Sequence, residues 1–433
     1  MMSFFLSVVE AAKMPEVQIF VSALVVLVSA MVIILKESGG GATPTTGERT
    51  RKKIPVILGM ATGNPPYKVS QKQALQIAEA APECASIRPV LARIYGNSRI
   101  ESRYMAIPDF TPGAAEEEKF FPGAEFKMPV EARLRKFKEK AVPLVTEVCL
   151  KALKKAGVLD VTSTIGKLVV VSSTGFLGPG LDCELIQTLG LKRSVDRSLI
   201  GFMGCAAAIN GFRVANDFAV AHPGELALLC CVELSSVHTT FDDNVNDAIL
   251  HAIFADGCAA AVIGALDDDD HDDSKNFKGK LAIVDTHAAL MPGTDDGITL
   301  SINENGISCT LSKYLPQYIA KNMGSYVDGF LSKHGLAKAD LDFWAIHPGG
   351  RRIIEEAQNG LGLSEDQAKY SWKVLAQYGN MLSPSVMFVL ELILDDYQSG
   401  AIPRQTGNGK SNLGIAFSFS PGVGAEGILL KLL

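Results

Sequence analysis

No run of lysine and arginine interleaved with aromatic residues occurs in the 433-residue chain, and the formal charge is only -6. A surface that tracks phosphates needs such a basic stripe, so nucleic acid is excluded as a partner. Cysteine pairs at metal-ligand spacing are missing as well. The eight cysteines, at positions 84, 149, 183, 205, 230, 231, 258 and 309, are scattered and mostly lie inside apolar runs. That usage fits free thiols in a reducing compartment and excludes a zinc ribbon or a disulfide framework. The one acidic run, Asp267 to Asp273, reads as a solvated loop between strands rather than a metal site.

Apolar sequence is plentiful. At 47% hydrophobic residues the chain can bury a large core, and its length suggests two halves of similar size. Val17 to Leu35 is interrupted only by Gln18, Ser22 and Ser29, close to the ~20 residues that span a bilayer as a helix. Residues 1–37 therefore read as an apolar helix that anchors the chain in a membrane, the alternative being a targeting segment removed on import into an organelle such as a plastid. Glu10 and Glu16 beside a lone Lys13 argue against a secretory signal. Lys36, Arg49, Arg51, Lys52 and Lys53 follow the apolar stretch, and positive flanks stay cytosolic, which puts the large C-terminal part in the cytosol. Residues 38–53, rich in Gly and Thr, form a flexible linker.

Beyond it, Lys53 to Met60 has the pattern of a first strand, and Ser70 with Gln73 three residues on makes a capping box before an Ala-rich helix. Further strands are expected at Leu168–Val171, Leu226–Val232, Ala259–Ile263, Leu281–Val284, Phe343–Ile346 and Ile415–Phe419. Helices are expected near Val130–Ala156, Ala206–Ala221, Leu311–His334 and Met387–Tyr397. Continuous apolar strands alternating with long helices indicate α/β sheets covered on both faces.

Three residues stand at element boundaries with chemistry to offer. Cys205 follows Gly204 at the start of a small-residue helix, where unpaired backbone amides favour a thiolate. His347 ends an apolar strand at a Pro-Gly-Gly turn, and Asn380 lies between Gly379 and a Ser-Pro pair. A cysteine holds an acyl group as a thioester. An imidazole N–H and a carboxamide N–H can both stabilise the oxygen of an enolate without a metal. His347 is further expected to pair with the Cys205 thiolate and keep part of the sulfur ionised.

These residues resemble the type III polyketide synthases, the chalcone-synthase-like enzymes of the thiolase superfamily, from about Ile54 to Leu433. The likeness rests on Gly204-Cys-Ala, Phe254-Ala-Asp-Gly, His347-Pro-Gly-Gly, Tyr378-Gly-Asn-Met, and Ser418-Phe-Ser-Pro-Gly in place of a Gly-Phe-Gly-Pro-Gly loop. It implies the five-layer αβαβα thiolase-like fold of two related halves, 54–265 with the nucleophile and 266–433 with the histidine and asparagine. It implies a homodimer that works on an acyl-CoA starter and malonyl-CoA, with no cofactor or metal, by decarboxylative Claisen condensation and cyclisation to a phloroglucinol-, resorcinol- or pyrone-type product.

The resemblance also assigns a pocket. Phe254 corresponds to one of two gating phenylalanines and Cys309 falls at the other, which widens the gate. Gly178 stands where a methionine often crosses the dimer interface, Leu382 where a serine is common, and Leu300 where a small residue is common. Phe419, Pro421 and Gly422 shape the wall beside Cys205, the two serines of that loop implying either ordinary backbone angles or some strain there. Arg93 aligns with a CoA-gripping position, whereas Val90 and Asn97 stand where neighbouring basic residues are usual, so the grip could have moved to Arg99 or Arg103. The wide gate and the membrane segment favour a long-chain fatty acyl starter over malonyl or acetyl. The alternatives are a starter-condensing β-ketoacyl synthase of fatty-acid synthesis and a membrane-tethered, non-catalytic subunit of the same fold. A papain-like protease shares the Cys/His/Asn trio, but the cysteine here lacks that family's neighbourhood.

Overall fold

The computed structural model describes residues 53–111, 113–121, 126–241, 244–267, 279–304, 306–402 and 412–433. The apolar segment Val17 to Leu35, the linker and the acidic run from Asp268 lie outside the described residues. In chain order the strands are β1 (Lys53–Gly63), β2 (Tyr67–Ser70), β3 (Ser102–Met105), β4 (Ile165–Val171), β5 (Asp196–Ile200), β6 (Leu226–Leu234), β7 (Asp256–Asp267), β8 (Leu281–Leu290), β9 (Ile298–Asn303), β10 (Gly306–Leu311), β11 (Phe343–Ile346), β12 (Leu413–Ser420) and β13 (Gly424–Leu432). Nine of them share one hydrogen-bonded array in the order β11-β12-β13-β8-β1-β7-β6-β4-β5. The array narrows where β1 meets β8, which pair only at Val56–Ala282 and Ile57–Leu281.

On either side of that seam the pattern repeats. β4 runs parallel to β5 and β6, and β11 parallel to β12, while β6–β7 and β12–β13 are antiparallel. Helix Val130–Lys155 covers β1, β6 and β7. Helices Ala207–Ala221 and Ser385–Ser399 each touch strands on both sides of the seam and lie between the two halves of the sheet. Helix Leu315–Ser332 covers the opposite flank, where Tyr326 and Phe330 crowd Gly427 of β13, and helix Arg351–Leu361 packs on it. The result is five alternating layers, the thiolase-like arrangement. The two middle helices bury small or apolar residues along most of their length, Ala207 to Ala219 on one and Val386 to Leu394 on the other, and the strands between layers are buried along their length, as all seven residues of β4 are.

Local signals fold as the sequence indicates. The Ser70 hydroxyl accepts from Gln73 N, and Gln73 Oε1 accepts from Ser70 N at 2.9 Å. The helix expected from Leu311 instead begins at Leu315, because Leu311 closes the β9–β10 hairpin. That hairpin, β5 and β13 escaped the apolar patterns: β5 and the hairpin are largely exposed, and β13 is broken up by glycine and glutamate. Gly59, beside a register shift in β1, lets the backbone of Ala152 and Ala156 close onto the strand. A methyl group there overlaps main chain that cannot rotate away. Gly59→Ala should therefore lose about 1–3 kcal/mol, typical of overpacking, seen as a lower urea midpoint at unchanged slope.

Candidate active site

Cys205 is delivered by a bend after β5. Phe202 and Gly204 both take positive φ (57°), a single 3₁₀ turn spans Gly204–Ala206, and helix Ala207–Ala221 follows. Glycine is required at 204 twice over. Its backbone angle is left-handed, and a β-carbon there would sit 3.3 Å from Pro421 Cδ, in the loop that ends β12. The Gly204 amide donates to Ser173 Oγ at 3.1 Å, tying the bend to the end of β4.

His347 leaves β11 where the parallel ladder ends. Its amide donates to the Phe417 carbonyl at 3.0 Å, and its own carbonyl accepts from Gly349 N at 2.9 Å, closing the turn. The ring is buried, and neither Nδ1 nor Nε2 has a hydrogen-bond partner. Burial pushes the imidazole down to about 3, so it is neutral at physiological pH.

Asn380 is clamped through its backbone. Its N–H donates to the Ile253 carbonyl and its carbonyl accepts from Ala255 N, both at 2.8 Å, so it grips the chain on either side of Phe254. Gly379, at φ 69°, makes the bend out of helix Lys369–Tyr378. The side chain is oriented as firmly: Oδ1 accepts from Leu382 N at 2.8 Å and Nδ2 donates to the Gly349 carbonyl at 3.1 Å. Nδ2 lies 3.9 Å from Cys205 Sγ.

Cys205, His347 and Asn380 line one cavity, together with Phe254, Leu300, Cys309, Leu382, Phe419 and Pro421. A second cavity adjoins it and shares Phe254, Leu300, Cys309 and Leu382. These four form the partition between the chambers, with Cys309 facing both. The second chamber reaches apolar Met105, Phe110 and Phe241, and one wall carries Ser173, Thr174 and His238.

The remaining residues singled out in the sequence do not line the cavity that holds Cys205. Gly178 is exposed, joined to Pro179 by a cis peptide, and lines neither chamber. Gly422 stays in the turn after Pro421, its amide donating to the Ile298 carbonyl at 2.9 Å, and it is not part of the cavity lining. Ser418 and Ser420 belong to β12 with ordinary angles. Arg93 is exposed on helix Arg88–Gly96 and borders neither chamber. Of the two substitutes, Arg99 pairs with Glu365 at 2.6 Å and stacks on Trp372, while Arg103 is buried and spends its guanidinium on Gln71 Oε1 and the carbonyls of His251 and Phe254. Arg103 shapes the Phe254 segment and is not free to grip a phosphate. No hydrogen bond joins the His347 ring to Cys205 in this structure. Burial, reinforced by Cys309 nearby, pushes the Cys205 thiol up, and its polar neighbour is the Asn380 amide. Desolvation in this apolar chamber works against an ion pair and against the pull of the helix start.

Glu233, at the end of β6, escaped the sequence reading. It is fully buried and accepts from Ser173 N and Thr174 N at 3.0 Å, Thr174 Oγ1 at 2.6 Å and Ser383 Oγ at 2.8 Å. It thus ties the loop under Gly204 to the loop that carries Asn380, and burial raises it to about 7. Its signal was a lone carboxylate closing an otherwise apolar strand.

Two family models cover the described chain: chalcone and stilbene synthases, N-terminal domain, over residues 45–267, and C-terminal domain, over 282–433. The chain belongs to the chalcone and stilbene synthase family. It is 39% identical over 393 residues to the "alpha-pyrone synthesis polyketide synthase-like Pks18" of Mycobacterium tuberculosis, covering 90% of this chain and 93% of that one. It is 29% identical over 344 residues to the 3,5-dihydroxyphenylacetyl-CoA synthase of Amycolatopsis balhimycina, covering 79% and 86%. Among solved structures, PKS-I of the brown alga Ectocarpus siliculosus superposes with a TM-score of 0.83 at 63% identity over 89% of this chain and all of that one. The C-terminal type III polyketide synthase domain of Steely1 from Dictyostelium superposes at 0.74 with 26% identity, over 88% of this chain and all of that one. The protein is accordingly a type III polyketide synthase, an acyltransferase.

Cys205, His347 and the fixed Asn380 carboxamide share an apolar chamber in which burial disfavours both the thiolate and the imidazolium. Iodoacetamide labelling of Cys205, followed by peptide mapping, should be slow at pH 7 and keep climbing beyond pH 9, whereas a free cysteine levels off above its pKa of about 8.5. A plateau reached by pH 7 would show a pre-formed thiolate instead.

Proposed function

We propose that Cys205 carries the starter and the growing chain as a thioester, while His347 and Asn380 bind the thioester oxygen of malonyl-CoA. The reading is carried by one observation: a sulfur, an unpartnered buried imidazole and an amide N–H 3.9 Å from that sulfur line the same cavity. Loss of carbon dioxide breaks the C–C bond of malonyl-CoA and leaves its electron pair on the enolate, whose oxygen the two donors stabilise. The enolate carbon attacks the thioester on Cys205, the sulfur leaves, and the lengthened chain returns to Cys205 as CoA departs. The thiol must lose its proton on loading, and His347, neutral and unpartnered, is the base in the chamber that can take it.

The starter is a long acyl chain bound through the partition, with the second chamber holding its tail or the folded polyketide. Support comes from Cys309, small beside Phe254 at the partition, and from the apolar residues behind it. The name of the mycobacterial relative speaks of α-pyrone synthesis, which agrees with a pyrone among the products. A homodimer is favoured by the exposed Phe176 and Leu199, which flank the bend leading to Cys205; Phe176 packs edge-on against Phe202 at 4.4 Å. Residues 1–37 anchor the enzyme to a membrane with the catalytic part in the cytosol, near a source of fatty acyl thioesters; cleavage as an organelle-targeting segment is the alternative.

Asn380→Ala removes one aimed donor and should slow malonyl-CoA decarboxylation about a hundred-fold or more, the ~3–4 kcal/mol such donors supply, while leaving acyl loading of Cys205 measurable by mass. Near-normal decarboxylation would break the assignment. Product analysis of protein lacking the residues before Ile54, offered malonyl-CoA alone and then starters of rising chain length, should show turnover increasing towards long acyl chains with two or more malonyl units per product. Equal or better turnover without a long starter would point to a phloroglucinol-type product, and single extension to a ketoacyl synthase.

A further inference from the structure

Cys309 shares the nucleophile's chamber, and nothing in the condensation chemistry uses it. It lies on β10, directly opposite Leu300 of β9, so the two side chains stand on one face of the hairpin. That face is turned towards the nucleophile: Leu300 Cδ1 is 3.7 Å from where a β-carbon on Gly204 would stand. The hairpin is hydrogen-bonded as a separate two-stranded ribbon outside the nine-stranded array. Asn246 holds it at the Cys309 carbonyl and the Leu311 amide, at 3.0 and 3.1 Å. Those bonds hold the Cys309 backbone beside the chamber that carries Cys205. The other described cysteines are placed differently: Cys84, Cys149, Cys230, Cys231 and Cys258 are buried away from the chamber, and Cys183 lies beside Arg197.

We propose that Cys309 is a resolving thiol, a modification site that captures an oxidised Cys205 as a reversible disulfide; this rests on the reading of Cys205 as the reactive sulfur. With a hydroperoxide as oxidant, the Cys205 sulfur gives up its proton to His347 and attacks the O–O bond, takes one oxygen as a sulfenic acid and expels hydroxide or alkoxide, which takes that proton and leaves as water or alcohol. The Cys309 sulfur then attacks that sulfur, the S–O bond breaks and water leaves. Two thiols have been oxidised and one peroxide reduced. Without a neighbouring thiol the sulfenic acid proceeds to sulfinic acid, which ordinary thiols do not reverse. The device protects the nucleophile and pauses the enzyme while it is closed.

The test is intact-mass and peptide mapping after titration with hydrogen peroxide, each variant compared with its own untreated sample. The wild-type chain should lose about 2 Da, yield a 205–309 linked peptide and recover with dithiothreitol, whereas Cys309→Ser should gain about 32 Da on Cys205 and fail to recover. Absence of the linked peptide from the wild-type chain, or equal recovery of the Cys309→Ser variant, would overturn the proposal. Because linkage is read by mass, the result is independent of polyketide formation. A 205–309 link in a protein that makes no product would defeat the functional reading and leave this one standing.

Discussion

The site depends on two backbone hydrogen bonds. Asn380 comes from the C-terminal part of the chain, and the segment it grips, Ile253 to Ala255, comes from the N-terminal part that also carries Cys205. The seam between the halves is otherwise thin on the sheet side, where β1 and β8 share two residue pairs. Clamping 380 on both sides of 254 fixes the height of the carboxamide over the sulfur and holds Phe254 at the partition in one stroke. Buried amides left unpaired cost about 1–3 kcal/mol each, so slippage in this register is disfavoured by the same groups that set it. Gly379 and Arg103 serve that clamp. The left-handed glycine lets the chain turn into it, and the arginine neutralises the carbonyls of His251 and Phe254 that would otherwise be stranded.

The clamp encloses an apolar chamber in which burial works against the simplest expectation about its chemistry. A sulfur at a helix start beside a histidine suggests an ion pair. Here burial drives the thiol up and the imidazole down, both towards neutrality. A neutral resting site has its own logic for this reaction. Charge appears only in the course of reaction, as the thiol loads and as the enolate forms, and fixed dipoles in a low-dielectric chamber stabilise it without first being satisfied by a standing ion pair. The carboxylate nearest the site, Glu233, fits the same scheme. It is pinned by backbone amides and hydroxyls of two loops, and burial holds it near the middle of the pH range rather than as a standing anion.

How far the sequence could be read follows from where each signal resides. Cys205, His347 and Asn380 were legible because each sits at a sharp boundary marked by glycine or proline, and local chain grammar records such boundaries. The apolar strands β4, β6, β11 and β12 and the long helices were legible because burial on both faces leaves an unbroken apolar run. The β9–β10 hairpin was not, since a ribbon with an exposed face carries little of that pattern, and its first signal was absorbed into the helix that follows it. Glu233 and the buried role of Arg103 were illegible for a different reason. Their partners lie 60 and 150 residues away or thereabouts, at Thr174, Ser383 and Phe254, and a hydrogen-bond network across elements leaves no periodic trace.

The hairpin is also where this chain can vary its chemistry at least cost to the fold. Its two strands hydrogen-bond to each other and stand outside the main array, so changing Leu300 or Cys309 alters the partition between the chambers without disturbing a central strand. Leu382, by contrast, follows Asn380 at φ 56° and lends its amide to the carboxamide, so its backbone is committed even though its side chain faces the cavity. Phe254 is committed by the clamp. Of the four partition residues, two are therefore fixed by the machinery and two are carried on a replaceable ribbon. Differences in acyl length and ring closure among proteins of this architecture should concentrate on the ribbon side, which borders both cavities and lies outside the main array, close enough to Cys205 to affect it.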